Sequence, residues 1–149
     1  MERLMEKYIL VVDDDVEILT SLRNGLEKQG CKVMSVETGK GATEAFIKSC
    51  YDEPFDLILL DIGLPDMSGI DVLQIIRQEE EIRGLQYENG VKIIVQTGLK
   101  ESWMEGFNRG CDDFIFKPYA FDELLAKINE KLEIAVKSNE NPAENSELN

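Results

Sequence analysis

The sequence predicts an α/β protein: a doubly wound, parallel sheet of five strands in the order 2-1-3-4-5, with helices on both faces. Three observations lead there. Short apolar runs alternate with segments of helical periodicity five times along the chain. The runs are almost wholly apolar, as expected for strands covered on both sides, rather than alternating as half-exposed strands do. Acidic, hydroxyl and lysine side chains gather just after the runs, where a doubly wound sheet carries its functional groups.

Each element has its own signal. "YILVV" (8–12) reads as the first buried strand. Residues 16–30 place Ile18, Leu19, Leu22 and Leu26 at helical spacing and stop at Gly30, a helix-end residue. "CKVMSVE" (31–37) is the second strand. A short helix follows over 41–50, with Ala42, Ala45 and Phe46 on one side. "FDLILL" (55–60) is the third strand, and 69–80 is helical through Ile70, Leu73 and Ile76. "VKIIVQT" (91–97) is the fourth strand, and a weaker fourth helix over 100–110 is anchored by Trp103 and Phe107. "DDFIF" (112–116) is the fifth strand. A fifth helix over 121–136 carries Phe121, Leu124, Leu125, Ile128 and Leu132 on one stripe. For five such units the common order is the flavodoxin-like 2-1-3-4-5, with the first and third strands as neighbours. Residues 81–90 lengthen one connection and suggest no function. The tail 138–149 is polar, acidic and aperiodic, so disorder is expected there. The chain therefore reads as one domain over 1–137 with a disordered tail.

Composition narrows the function classes. A chain of 149 residues is long enough for one sizeable core and short for two ordinary domains. Its formal charge of -14 argues against nucleic acid as a partner, because phosphate binding needs a basic footprint. No apolar run approaches the length that crosses a bilayer, and "MERLMEKYILVVDDD" lacks a signal-peptide pattern, so a soluble, cytoplasmic protein is expected. Cys31, Cys50 and Cys111 are widely spaced, with no CxxC pair, and read as inert thiols. Histidine is absent, which excludes a histidine-based triad or metal cluster and any phosphohistidine carried by this chain.

The strand ends hold the chemistry. Asp13, Asp14 and Asp15 follow the first strand, Asp61 the third, Thr97 and Gly98 the fourth, Lys117 and Pro118 the fifth. Each has a plain structural reading taken alone: an aspartate can cap the next helix or begin a turn, a threonine can end its strand, and Lys-Pro can be loop. One cap needs one aspartate, however, and three are present. Crowded carboxylates repel, and without a cation one of them is driven to keep a proton. Oxygen donors with no histidine or cysteine nearby suit a hard divalent ion, with magnesium favoured. Lys117 could reach an anion beside Asp61, Thr97 offers a hydroxyl, and Gly98 leaves room. Together these describe a receptor for a phosphoryl group with Asp61 as the nucleophile.

The segments "ILVVDDD", "LILLDIGLPDMSG", "IIVQTG" and "GCDDFIFKPY", in this order and spacing, make the chain resemble the response-regulator receiver domains of two-component signalling, and specifically a single-domain, chemotaxis-regulator-like member. The likeness covers roughly residues 7–137. It implies that Asp61 is the phosphoacceptor and that Asp13 and Asp14 hold Mg2+, Asp14 directly and Asp13 through water, with the backbone carbonyl of Gly63 as a further ligand. It implies that Thr97 binds the phosphoryl group and that Lys117 is the family's lysine, followed by a cis Lys117–Pro118 peptide. Phe114 takes the place of the aromatic switch residue, moving inward as Thr97 is drawn to the phosphoryl oxygens. The face formed by the fourth helix, fifth strand and fifth helix would then change shape. The implied donor is a sensor histidine kinase or a histidine phosphotransfer protein, and the output an effector protein, with a monomer or a phosphorylation-linked dimer. Gly63 and Leu99 sit where phosphoryl lifetime is tuned; an absent side chain at Gly63 is expected to leave water a route that Leu99 partly obstructs.

Three rivals remain open at this level. An aspartate-nucleophile phosphatase of the haloacid-dehalogenase type would place its nucleophile after the first strand in a DxDxT-type motif, and "DDDVE" lacks the threonine. A flavodoxin would need a hydroxyl- and glycine-rich phosphate loop where three aspartates stand. A phosphorylation-independent docking module would keep the fold without the chemistry, and the intact acid set argues against it.

Overall fold

The structure is a computed structural model that describes residues 4–85, 89–98 and 110–132. Its strands are β1 (Tyr8–Val12), β2 (Lys32–Val36), β3 (Leu57–Asp61), β4 (Lys92–Thr97) and β5 (Asp113–Phe116). They form one sheet in the order β2-β1-β3-β4-β5, with every neighbouring pair parallel. The expected α/β fold and strand order are therefore found. The helices are α1 (Val16–Lys28), α2 (Gly39–Ser49) and α3 (Gly69–Ile82), and residues 121–132 are also helical. The sequence-expected helix over 100–110, with Trp103 and Phe107, lies outside the described residues apart from its last position, as do Leu99, residues 133–136 and the tail 138–149.

Strand alternation divides the core in two. Ile9, Val11, Leu57, Leu59, Ile94 and Ile115 point to the face covered by α1 and the 121–132 helix, where Leu22, Leu26, Leu124 and Ile128 meet them. Leu10, Val12, Ile58, Leu60, Ile93 and Val95 point to the other face, under Ala42 and Phe46 of α2 and Val72, Leu73 and Ile76 of α3. Leu57 through Leu60 are completely buried. Burial of each such side chain contributes about 1.5–3 kcal/mol relative to exposure. That is why an unbroken apolar run specifies a central strand.

Helices α1, α2 and α3 each begin on a short polar side chain. Asp15 accepts from the Glu17 and Ile18 amides at the start of α1, Thr38 from the Gly41 amide at α2, and Ser68 from the Ile70 amide at α3. α1 stops at Lys28, and Gly30 takes φ +93°, as its helix-end reading requires. α2 starts two residues before the apolar spacing suggested, because Thr38 caps it ahead of the first buried side chain. α3 runs two residues past its expected end, and the chain turns at Gly84 with φ +84°.

Candidate phosphoryl and metal site

The site lies at the carboxyl ends of β1, β3, β4 and β5, beside the switch point where β1 has β2 on one side and β3 on the other. Asp13 follows β1 and is fully buried, Asp61 ends β3 and is 6% exposed, and Asp14 faces solvent. One carboxylate oxygen from each of the three lies within 4.8 Å of the others. Lys117 reaches back from the end of β5 across β4, with Nζ 3.1 Å from Asp13 Oδ2 and 3.4 Å from Asp61 Oδ2. The Lys117–Pro118 peptide is cis.

The three aspartates of "DDD" divide their work. Asp15 is the cap of α1, while its own amide donates to Asp13 Oδ1 at 2.9 Å. Asp13 and Asp14 are thereby left to the cleft. The β3–α3 loop also folds toward it: Gly69 N donates to the Ile62 carbonyl at 2.8 Å, and Gly63 and Ser68 form an antiparallel bridge. The Gly63 amide points at Asp61 Oδ1 from 3.4 Å. A Cβ at Gly69 would lie 2.1 Å from the Asp61 carbonyl oxygen, so glycine is what lets the loop close beneath the carboxylate.

Electrostatics at Asp61 are opposed. Burial pushes its carboxyl above the ordinary value, Lys117 pulls it down, and Asp13 pushes it up again. The net result is a more basic carboxylate than usual. Burial works against the Lys117 ammonium, but Asp61 and Asp13 outweigh it and hold its pKa above the ordinary lysine value. Three oxygen donors with no nitrogen or sulfur among them fit a hard divalent cation, and Mg2+ in particular takes one or two carboxylates while keeping several waters.

The other sequence-expected residues stand as follows. Thr97 is buried at the end of β4, and its carbonyl accepts the Lys117 amide at 2.8 Å. Strand register sets Asp61 beside Gln96, which places Thr97 one residue beyond the carboxylate. Phe114 is half-buried against the α2/α3 side of the core, with its ring 5.0 Å from that of Phe116 in an edge-to-face arrangement. Gly63 is exposed, and a Cβ there would meet nothing within 4 Å.

Three contributors were not among the expected site residues. Gln96 is fully buried and donates from Nε2 to Asp13 Oδ2 at 3.2 Å, while the Tyr119 hydroxyl donates to Gln96 Oε1 at 2.6 Å. The signal for Gln96 was available as the one side-chain amide in "VKIIVQT", set between the apolar "IIV" and Thr97. Asp66, in the loop after β3, accepts from the Gly39 amide at 2.8 Å and the Lys40 amide at 2.9 Å, tying that loop to the start of α2.

Comparison with known proteins agrees with this geometry. The response regulator receiver domain family matches residues 9–129. The transcriptional regulatory protein KdpE of Mycobacterium tuberculosis is 35% identical over 120 residues, which is 80% of this chain and 48% of that protein. The alkaline phosphatase synthesis transcriptional regulatory protein PhoP of Bacillus subtilis is 34% identical over 141 residues, covering 91% of this chain and 54% of that one. The chain thus spans about half the length of these curated relatives. Among solved structures, a CheY-like receiver domain protein from Methanospirillum hungatei is 36% identical with a TM-score of 0.73, covering 89% of this chain and 98% of that one. The response regulator TrrA of Thermotoga maritima, in complex with Mg2+ and BeF, is 30% identical with a TM-score of 0.68, covering 84% and 98%. With its sheet order, its acidic cleft and its sequence in accord, the chain belongs to the response regulator receiver domain family of two-component systems.

Proposed function

We propose that this chain is a phosphorylation-activated signalling switch that accepts a phosphoryl group on Asp61 from a phosphohistidine donor, a sensor histidine kinase or histidine phosphotransfer protein. The observation that carries the reading is the buried Asp61 carboxylate, 3.4 Å from the Lys117 ammonium and grouped with Asp13 and Asp14. An Asp61 oxygen attacks phosphorus in line with the phosphorus–nitrogen bond of the donor. The new oxygen–phosphorus bond forms as that bond breaks, and its electron pair leaves with the imidazole, which takes a proton from solvent. Lys117 turns its charge to the equatorial oxygens, and the Thr97 hydroxyl donates to them. Asp13, Asp14, Asp61 and the Gly63 carbonyl would hold Mg2+, which when bound neutralises charge on the transferring group.

The output follows as a population shift. Thr97 drawn toward the phosphoryl oxygens vacates space that Phe114 enters, and the surface around β5 and the 121–132 helix changes shape. The fourth helix, which the sequence also assigns to that face, lies outside the described residues apart from its last position. The partner there is a protein, bound by a monomer or through a phosphorylation-linked dimer. A net charge of -14 favours protein over nucleic acid as the partner. Among the described residues no helix is long and apolar enough to cross a membrane, which accords with a cytoplasmic setting. The chain assists its own phosphorylation and dephosphorylation and is not otherwise an enzyme.

Intact mass after incubation with acetyl phosphate tests this. One added phosphoryl group, lost in Asp61→Asn and on magnesium chelation, is the expected result. No adduct, with beryllofluoride also failing to bind, would overturn it in favour of a docking module. Sustained turnover of a small phosphate ester would point instead to an aspartate-nucleophile phosphatase.

A further inference from the structure

Asp13 is buried beside a second buried carboxylate, and the two share one lysine. If Lys117 turns to a phosphoryl group on Asp61, Asp13 loses an ammonium 3.1 Å away. A buried carboxylate stripped of its partner is costly unless another donor remains.

The Asp15 amide keeps Asp13 Oδ1, and on Oδ2 the donor that remains is Gln96. Its Nε2 is 3.2 Å from the same Asp13 oxygen that Lys117 holds. It reaches Asp13 across β3 because strand alternation puts Gln96 on the face of Ile94, the face that Asp13 shares with Val11 and Asp61 with Leu59. Thr97, the next residue, falls on the opposite parity. The amide orientation follows from chemistry. An ionised carboxylate can only accept, so Gln96 presents its NH2 to Asp13 and its carbonyl to Tyr119, whose O–H donates. Burial pushes the Tyr119 phenol well above its ordinary pKa, so it stays a donor. The phenol polarises the amide and strengthens the bond to Asp13.

We propose that Gln96, oriented by Tyr119, is a positioning residue that holds Asp13 with a neutral donor and so releases Lys117 for the phosphoryl group on Asp61. The proposal rests on Asp61 being the phosphoacceptor. Without Gln96, Asp13 binds Lys117 more tightly. Lys117 is then less available to phosphoryl oxygens, and a cation must displace a stronger ion pair to reach Asp13.

The test compares wild type, Gln96→Met, which keeps the length of the side chain without its donor, Tyr119→Phe, and the double variant. Phosphorylation rate with acetyl phosphate at saturating Mg2+, the Mg2+ dissociation constant by calorimetry and the thermal midpoint are measured on each. Gln96→Met lowers the saturating rate about tenfold and weakens Mg2+ about fivefold, the scale of one ordinary lost hydrogen bond. Tyr119→Phe, which removes the hydroxyl that donates to Gln96 and keeps the ring, shifts both in the same direction by about threefold. The double variant is no worse than Gln96→Met, because Tyr119 acts through Gln96. A purely structural role would lower the thermal midpoint with rate and affinity unchanged, and that result overturns the proposal. Additive effects in the double variant overturn Tyr119's part in it. If Gln96→Met does not fold, an unchanged rate and Mg2+ affinity in Tyr119→Phe overturns it instead. A wild-type protein that takes no phosphoryl group overturns the Asp61 reading and this proposal together, whereas a phosphorylated wild type matched by Gln96→Met overturns this proposal alone.

Discussion

Two glycines, Gly63 in the loop after β3 and Gly69 at the start of α3, show how differently the same residue can matter. At Gly69 an added Cβ would sit 2.1 Å from the Asp61 carbonyl oxygen and 2.8 Å from Ile62 Cα, both backbone atoms that cannot swing aside. Gly69→Ala is expected to cost about 2 kcal/mol or more, as overpacking does, and to displace Asp61. Gly63 faces open space, so Gly63→Ala should leave stability unchanged. Urea unfolding of both variants checks the contrast. Asp66 offers a pH test. Its carboxyl is held below the usual range by the Lys40 and Gly39 amides it accepts from. A depressed folded pKa stabilises the carboxylate's contacts above the ordinary value of about 3.8 and loses that contribution as pH falls through the lower, folded value. The Gly39 and Lys40 amide resonances should therefore shift with a midpoint below the ordinary aspartate value, and Asp66→Asn should flatten both curves. Of the site residues, Asp61, Asp13, Asp14, Thr97 and Lys117 were legible because type and strand-end position coincide. The pairing of Gln96 with Asp13 and of Tyr119 with Gln96 was not, because Asp13 is two strands away from Gln96 and only packing makes these residues neighbours.

At the scale of elements, a buried ion cluster explains where the lengthened connection after α3 begins and ends. Arg77 donates to Glu80 Oε1 at 2.7 Å, to the Val91 carbonyl at 2.8 Å, to the Gly110 carbonyl at 2.9 Å and to Asp112 Oδ2 at 2.9 Å. Glu80 returns the tie by accepting the Val91 amide at 2.7 Å, and Asp112 accepts the Ile93 amide at 2.8 Å. One guanidinium thus fastens α3 to the entries of β4 and β5, at the end of the sheet opposite the acidic cleft. Arg77→Leu leaves the buried Glu80 and the partly buried Asp112 without their cation and is expected to cost about 3 kcal/mol. Arg77→Lys should rescue little, since a point charge cannot reproduce a planar fork. Denaturant midpoints with unchanged slopes would verify both. From sequence, residues 81–90 read as a bare insertion. Helix periodicity reports which face is apolar, and it is blind to an arginine satisfied by its own helix and by groups from two other segments.

For the whole molecule, the sheet order sets which residues meet in the cleft. Putting β3 between β1 and β4 brings Asp61 alongside Asp13 and Gln96 and within reach of Lys117, and crowds three carboxylates into one cleft. A cation that binds this cleft only in the folded chain stabilises it by mass action, by about 2.7 kcal/mol at a hundredfold excess over its Kd. Thermal unfolding should therefore shift upward with Mg2+ and fall back on chelation. Asp14→Asn, an exposed and structurally mild change, should shrink the shift. An equal shift in that variant would place the ion elsewhere. The sequence by itself determined the α/β class, the strand order, the two-faced core and the group of residues at the strand ends. It could do so because local hydrophobic period and chain alternation constrain a parallel sheet to very few topologies. Only the tertiary structure decided that Asp15 caps while Asp13 stays in the cleft, that Lys117 is shared between Asp13 and Asp61, and that Gln96 and Tyr119 support Asp13 from behind. Those choices rest on hydrogen bonds between residues far apart in the chain, whose geometry exists only once the strands are packed.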